Sequence, residues 1–288
     1  MLNPVIAIAE GRCVRASTSG AGRTEPGNNV MPEYSITTDV VSAQSDLKAE
    51  MPAFAAAGFA AIHWCQHWAG APVFYDRDFI DCVAAGLTAN HLRIADVHGY
   101  SGTSDGLRYT DELFLAANLN RIEFAGRVGA GVLVLHLPLR QFSIERHAIE
   151  HSISMIESLL PSCSAFGVLP ALENLDQSVA FHQAMLAAFT KNQLGFCYDS
   201  GHALIHKQVN LVRRFSGRLA ATHLHDNDGV TDQHLPPGEG KVDWPLVADA
   251  LRAGGYDGTW NLEVKLRTRP RMPLEDFCRL AYKKVAAL

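Results

Sequence analysis

Imidazoles and carboxylates recur along this chain at the ends of short apolar runs. His98 closes "RIADVH", His136 follows "GVLVL", Glu173 closes "VLPALE" and Asp199 closes "LGFCYD". His202 follows Asp199 in "DSGH", and His223 closes "LAATH". Asp232 and His234 stand in the loop beyond, and Glu263 closes "GTWNLE". All nine side chains are of the kind that zinc, manganese or cobalt takes as ligands. Each alone has a plainer reading: a hydrogen-bonded strand-end histidine, a helix cap in "EN", an Asx turn in "DSGH", a solvated loop for Asp232 and His234. Together they resist that reading, because carboxylates gathered in a dry cleft repel one another unless a cation compensates. The sequence therefore predicts a divalent-metal site.

Two spacings sharpen the expectation. Asp199 and His202 can face one side if a helical turn follows the strand. Asp232 and His234 alternate on an extended loop and so point the same way. That loop, "HLHDNDGVTDQHLPPGEG" from His223 to Gly240, has too many prolines and glycines for a long helix. Asp226 to Thr231 read as spacer and supporting residues, and Glu239 as a surface or supporting group rather than a ligand.

The elements that must position these residues alternate regularly from Tyr34 onward. Apolar strand-like runs ("YSITTDV", "AAIHWCQH", "RIADVHG", "GVLVLHLP", "VLPALEN", "LGFCYDSGH", "LAATHLHD", "GTWNLEVK") are each followed by a helical stretch. The helices are expected near 46–57, 78–89, 111–128, 143–160, 179–191, 208–215 and 244–253, with a last one ending near Leu288. Near-continuous apolar strands alternating with helices imply a parallel sheet. Eight such units in one α/β domain, residues 33–288, predict a (β/α)8 TIM barrel. A doubly wound sheet is the alternative, but no Gly-rich fingerprint follows the first strand. In a barrel the ligand-bearing strand ends converge on one mouth, where barrel enzymes keep their active sites.

Residues 1–32 are rich in Gly, Ser, Thr and Arg without periodicity and read as a disordered extension, with a natural start at Met31 as the duller possibility. They lack the sustained apolar stretch of a signal peptide. No apolar run approaches the roughly 20 residues that cross a bilayer, so no membrane partner is expected. The six cysteines are scattered without C-x-x-C, which argues against a disulfide framework or thiolate zinc and makes a cytoplasmic setting the default. A net charge of -5 leaves no global field for nucleic acid.

From Tyr34 to the C-terminus the chain resembles the xylose-isomerase-like TIM-barrel superfamily, through "VHGYSG", "LHLP", "ALEN", "YDSGHA", "HLHDN…DQHLPPGEGKVDW" and "NLEVK". The resemblance implies a sugar or sugar-phosphate isomerase or epimerase, or an endonuclease IV-like hydrolase of abasic sites. Epimerase-like members hold one divalent ion with residues that match Glu173, Asp199, His223 and Glu263, the two glutamates also serving as catalytic acid and base. The endonuclease pattern, built for three zinc ions, matches those four plus His98, His136, His202, Asp232 and His234. The implied cofactor is Zn2+ or Mn2+, one to three ions.

The isomerase reading ranks first, with a small sugar as partner. His63, Trp64 and His67 in "IHWCQHW", with Lys265 and Arg140, are the candidate substrate contacts; an indole can stack on a sugar face, and a cation can take a phosphate or carboxylate. A DNA partner ranks second. Arg108, Tyr100, Tyr109, Arg140 and Arg146 make a thin set for tracking phosphates and entering a groove.

Overall fold

The apolar runs become short, buried, parallel strands: β1 (Tyr34–Thr37), β2 (Ala61–Trp64), β3 (Arg93–His98), β4 (Val132–Leu135), β5 (Leu169–Glu173), β6 (Gly195–Asp199), β7 (Leu219–His223) and β8 (Trp260–Leu262). In this computed structural model the described residues are 32–40, 47–65, 73–101, 110–139 and 144–288. The proposed N-terminal extension, His67, Arg108, Tyr109 and Arg140 lie outside them. The sheet order β7-β6-β5-β4-β3-β2-β1-β8 is that of a TIM barrel. The ring closes between β7 and β8 through a single parallel bridge, Leu224 to Leu262. There Leu224 N–H donates to Asn261 O at 2.8 Å and Glu263 N–H to Leu224 O at 3.2 Å. Asn261 N–H turns instead to the Thr222 hydroxyl at 3.2 Å.

Helices α1 (Leu47–Ala57), α2 (Arg77–Ala89), α3 (Asp111–Val128), α4 (Glu145–Phe166), α5 (Val179–Ala188), α6 (Ser200–Ile205), α7 (Leu211–Arg214) and α8 (Trp244–Ala253) connect the strands, and α9 (Leu274–Val285) follows β8. Asp76, Thr110, Ser178 and Asp243 cap α2, α3, α5 and α8 by accepting a backbone N–H. Two expectations needed correction. The helix expected to stop at Leu160 runs through Pro161 to a left-handed Gly167, because its buried stripe continues through Leu159 and Cys163. The helix expected at 208–215 shortens to α7, and a separate helix before it, α6, leaves β6 directly. No described helix is long and apolar enough to cross a membrane.

The main core lies between strands and helices, and a second, small cluster fills the barrel: Val134, Ala171, Cys197 and Ala221, one from each of β4 to β7. Strand side chains alternate faces, so the residues two further along also face inward. Those are His136, Glu173, Asp199 and His223. The ligand ring thus stands one layer above a floor of small residues. Two bulges tune the alternation. Between β6 and β7, Phe196 pairs with Leu219 but Cys197 with Ala221, which sets Asp199 opposite His223. Between β2 and β3, Ile62 pairs with Ile94 but His63 with Asp96. Bulges are uncommon in parallel ladders and re-aim side chains near sites.

Candidate metal centre

The structure brings the nine strand-end and loop residues to one mouth, in linked groups. Ligand atoms of Glu173, Asp199, His223 and Glu263 lie within 4.8 Å of one another, as do those of His98, His136 and Glu173. His223 is wholly buried, and its Nδ1 stands 3.2 Å from Glu173 Oε2 and 3.0 Å from Glu263 Oε2. Neither nitrogen of His223 makes a hydrogen bond of acceptable geometry. A buried imidazole ringed by carboxylate oxygens yet not hydrogen-bonded to them is how ligands stand around a shared cation, and the residues fit a divalent ion. Glu173 extends the site: its Oε2 lies 2.9 Å from His136 Nε2 and 3.8 Å from His98 Nε2, and its Oε1 lies 3.2 Å from His202 Nδ1.

"EN" and "DSGH" carry out more than capping. Asn174 clasps the Asp199 backbone from both sides, its side chain donating to Asp199 O at 2.9 Å and accepting from Asp199 N–H at 2.8 Å. Asp199 Oδ1 accepts from His202 N–H at 2.7 Å and so starts α6, the helical turn that the spacing required. Ser200 Oγ accepts from His225 N–H at 3.0 Å and donates to His225 O at 2.7 Å. Gly201 leaves room for the His225 ring: a Cβ there would sit 1.9 Å from His225 Cε1.

His225 is a site residue that the sequence reading passed over. Its Nε2 lies 3.1 Å from both oxygens of Asp199 and 3.7 Å from Asp232 Oδ1. Its ring stacks on His234 at 4.1 Å. With Asp232 and His234 it forms an outer group of candidate ligands. His234 Nε2 stands 2.9 Å from Asp232 Oδ2, and His202 Nε2 stands 3.8 Å from the same oxygen. His234 adopts φ 54 and is pinned through Nδ1 to Glu263 O at 2.6 Å. The signal for His225 was the period-two step from His223. Asp96 was missed in the same way, two residues before His98.

The loop that carries Asp232 and His234 is tied down by Asp226. Its buried carboxylate accepts from Gly238 N–H, Val242 N–H and Trp244 Nε1–H, each at 2.9 Å, and from Asn227 N–H at 3.0 Å. Asp226 also bridges to Leu235 by two backbone bonds. Asp226 is therefore the supporting residue expected there, while Glu239 is held by Arg269 and lies 3.7 Å from Lys284.

Of the candidate substrate contacts, Trp64 is corrected outright. With His63 facing inward, the next residue faces out, and the indole is buried against Tyr75, Phe79 and Phe124, its Nε1–H on Tyr75 Oη at 3.0 Å. It cannot stack on a sugar. Lys265 sits beside Glu263 but is half-buried and ion-paired with the Asp39 carboxylate. Burial works against both charges, yet each holds the other, Lys265 raised to about 12 and Asp39 lowered to about 2. His63 faces the barrel interior. Tyr100 is buried, and Arg146 is exposed on α4 beside Glu150.

Electrostatics bind the ligand groups into one unit. Burial pushes the Glu173 carboxyl upward, but His223 and His136 hold it well below the usual range; burial opposes His223 and His202 in turn, yet Cys197, then Glu173 and Glu263, raise His223 well above the ordinary value, and Asp199, then Asp232 and Glu173, do the same for His202. A raised histidine stabilises the ion-free fold at acid pH and stops doing so as pH rises through its folded pKa. A cation must displace those protons. Ion uptake is therefore expected to release protons and to strengthen with pH through neutrality, without levelling near the ordinary histidine value of about 6.5. Calorimetry in two buffers of different ionisation enthalpy checks this; uptake with no proton release contradicts it.

The fold and site define a TIM barrel with a histidine–carboxylate centre at the C-terminal mouth. The xylose isomerase-like TIM barrel family matches residues 52–279, and the chain belongs to that family. The uncharacterized protein y4fM of Sinorhizobium fredii is 30% identical over 161 residues, 51% of either chain. The uncharacterized protein MJ1311 of Methanocaldococcus jannaschii is 24% identical over 182 residues, 57% of this chain and 62% of its own. The matches thus span about half to three-fifths of those relatives' length. Among solved structures, a D-tagatose 3-epimerase-like protein is 20% identical with a TM-score of 0.65, covering 88% of this chain and 99% of its own. A zinc-bound IolI protein is 14% identical with a TM-score of 0.72, covering 88% and 97%. An AP endonuclease of family 2 from Brucella melitensis is 16% identical with a TM-score of 0.67, covering 85% and 96%. At these identities the structures show a shared fold.

Proposed function

We propose that the protein is a divalent-metal-dependent isomerase or epimerase of a sugar or related polyol, working by proton transfer through an enediolate. The observation that carries this is the placing of Glu173 and Glu263. They come from β5 and the end of β8, both buried, and approach His223 Nδ1 at 3.2 and 3.0 Å. The residues that would hold the ion are Glu173, Asp199, His223 and Glu263, and the ion, Zn2+ or Mn2+, would supply Lewis acidity at a substrate carbonyl. One glutamate takes a proton beside that carbonyl, and the other returns one to the neighbouring carbon or the opposite face. Asp199, held by Asn174 and His225, keeps its carboxylate aimed into the site. Lys265, neutralised by Asp39, favours an uncharged sugar over a sugar phosphate.

A zinc-dependent phosphodiester hydrolase acting on abasic sites is the second reading, supported by the outer group of His225, Asp232 and His234, which His202 adjoins, beside the inner one. With the buried Tyr100 and the peripheral Arg146, the described residues add little DNA-binding surface. Incubation of the metal-loaded protein in deuterated water with a panel of ketoses and aldoses is expected to place deuterium on a substrate carbon. Nicking of an abasic-site duplex without such exchange would replace the isomerase reading by the hydrolase one.

A further inference from the structure

His63 and Asp96 belong to neither the four-residue nor the nine-residue ligand set, yet the barrel is distorted to bring them together. In a regular ladder His63 would sit opposite Ala95, with Asp96 across from Trp64. The bulge after Ile62 instead pairs His63 with Asp96, and His63 Nδ1 lies 2.5 Å from Asp96 Oδ1. Both residues are buried. A carboxylate at Nδ1 fixes the ring proton there and leaves the Nε2 lone pair free. Nε2 is buried and has no hydrogen-bond partner among the described residues. An unmet buried polar atom is destabilising, so a site built this way calls for an occupant.

What lies next to it names the occupant. The His63 and His223 rings are 4.5 Å apart, and one ligand atom each of His63, His223 and Glu263 lie within 4.8 Å of one another. Asp96 Oδ1 also stands 3.8 Å from His223 Nε2, which places the His63–Asp96 pair beside the His223 ligand. A carboxylate behind a histidine whose far nitrogen is free is the usual arrangement behind a metal ligand.

We propose that His63, oriented by Asp96, is a fifth protein donor to the divalent ion at the Glu173–Asp199–His223–Glu263 site. The proposal rests on the metal-dependent reading of that site. It gives the ion a β2 ligand and leaves substrate fewer open coordination positions than a four-ligand site offers.

The test uses the full chain loaded with one equivalent of Co2+, as wild type, His63→Gln and Asp96→Asn. Glutamine keeps a donor for Asp96 while removing the imidazole. Chelator competition is expected to show Co2+ affinity reduced about 10- to 100-fold in both variants. The visible Co2+ absorption is expected to intensify in His63→Gln, as coordination number falls. Thermal unfolding with and without Co2+ separates a merely structural role: losing the buried His63–Asp96 pair lowers ion-free melting, and the Co2+-induced rise shrinks in addition. Wild-type affinity and spectrum in His63→Gln overturn the proposal. If that variant does not fold, Asp96→Asn decides alone, and wild-type behaviour there overturns it equally. A wild-type chain that takes up no Co2+ removes the metal reading itself, a different result from bound Co2+ indifferent to His63.

Discussion

Glu263→Gln is expected to lower turnover about a thousandfold while leaving the fold intact. General acid–base catalysis contributes about 10²–10⁴ in rate, and an amide can neither take nor return the proton. The carboxylate is buried, with Oε2 3.0 Å from His223 Nδ1. Burial favours its neutral form, but His223, His234 and Lys265 hold it well below the usual carboxylate range, so it stands ready as a base. The amide is also a weaker ligand, and the rate must be measured at saturating metal to separate the two losses. Circular dichroism on the ion-free chain checks the fold. A wild-type kcat at metal saturation would remove Glu263 from the proton-transfer pair.

The second large effect is on stability. Asp226→Asn is expected to cost about 2–6 kcal/mol, because the two donors on one oxygen lose their acceptor and each unmet buried donor costs about 1–3 kcal/mol. The aspartate satisfies three backbone N–H groups and the Trp244 indole N–H at once. An asparagine keeps one acceptor oxygen and turns an NH2 toward the remaining donors. Gly240 shows how closely the loop is wrapped there, because a Cβ on it would meet Asp226 Oδ1 at 2.4 Å. Denaturant unfolding reads the loss, and metal titration is expected to show weakened ion uptake through the loop's candidate ligands Asp232 and His234. A change under 1 kcal/mol with unaltered metal content would count against Asp226 as the loop's anchor.

Much of this was legible in the sequence because a barrel turns one-dimensional periodicity into a ring. His98, Glu173, Asp199 and His223 are the last residues of their strands, so reading strand ends finds these candidate ligands. Alternation also held answers that went unread. His63 facing in requires Trp64 to face out, and His223 facing in requires attention to His225. Other features have no local signature. The bulges that set His63 against Asp96 and Asp199 against His223 depend on neighbouring strands. The ion-pair partner of Lys265 is Asp39, 226 residues away. Pro161 reads as a helix end, but tertiary packing of Leu159 and Cys163 overrides it.

The closure of the barrel has a mechanical meaning. Between β7 and β8 the ladder is reduced to the Leu224–Leu262 bridge and a threonine hydroxyl standing in for a carbonyl. His223 lies on one lip of that seam and Glu263 on the other. A cation held by both, as proposed, would work as a clasp on a ring otherwise lightly fastened. Parting the lips and releasing the ion would then be one event, and whatever loosened the clasp would also loosen the barrel.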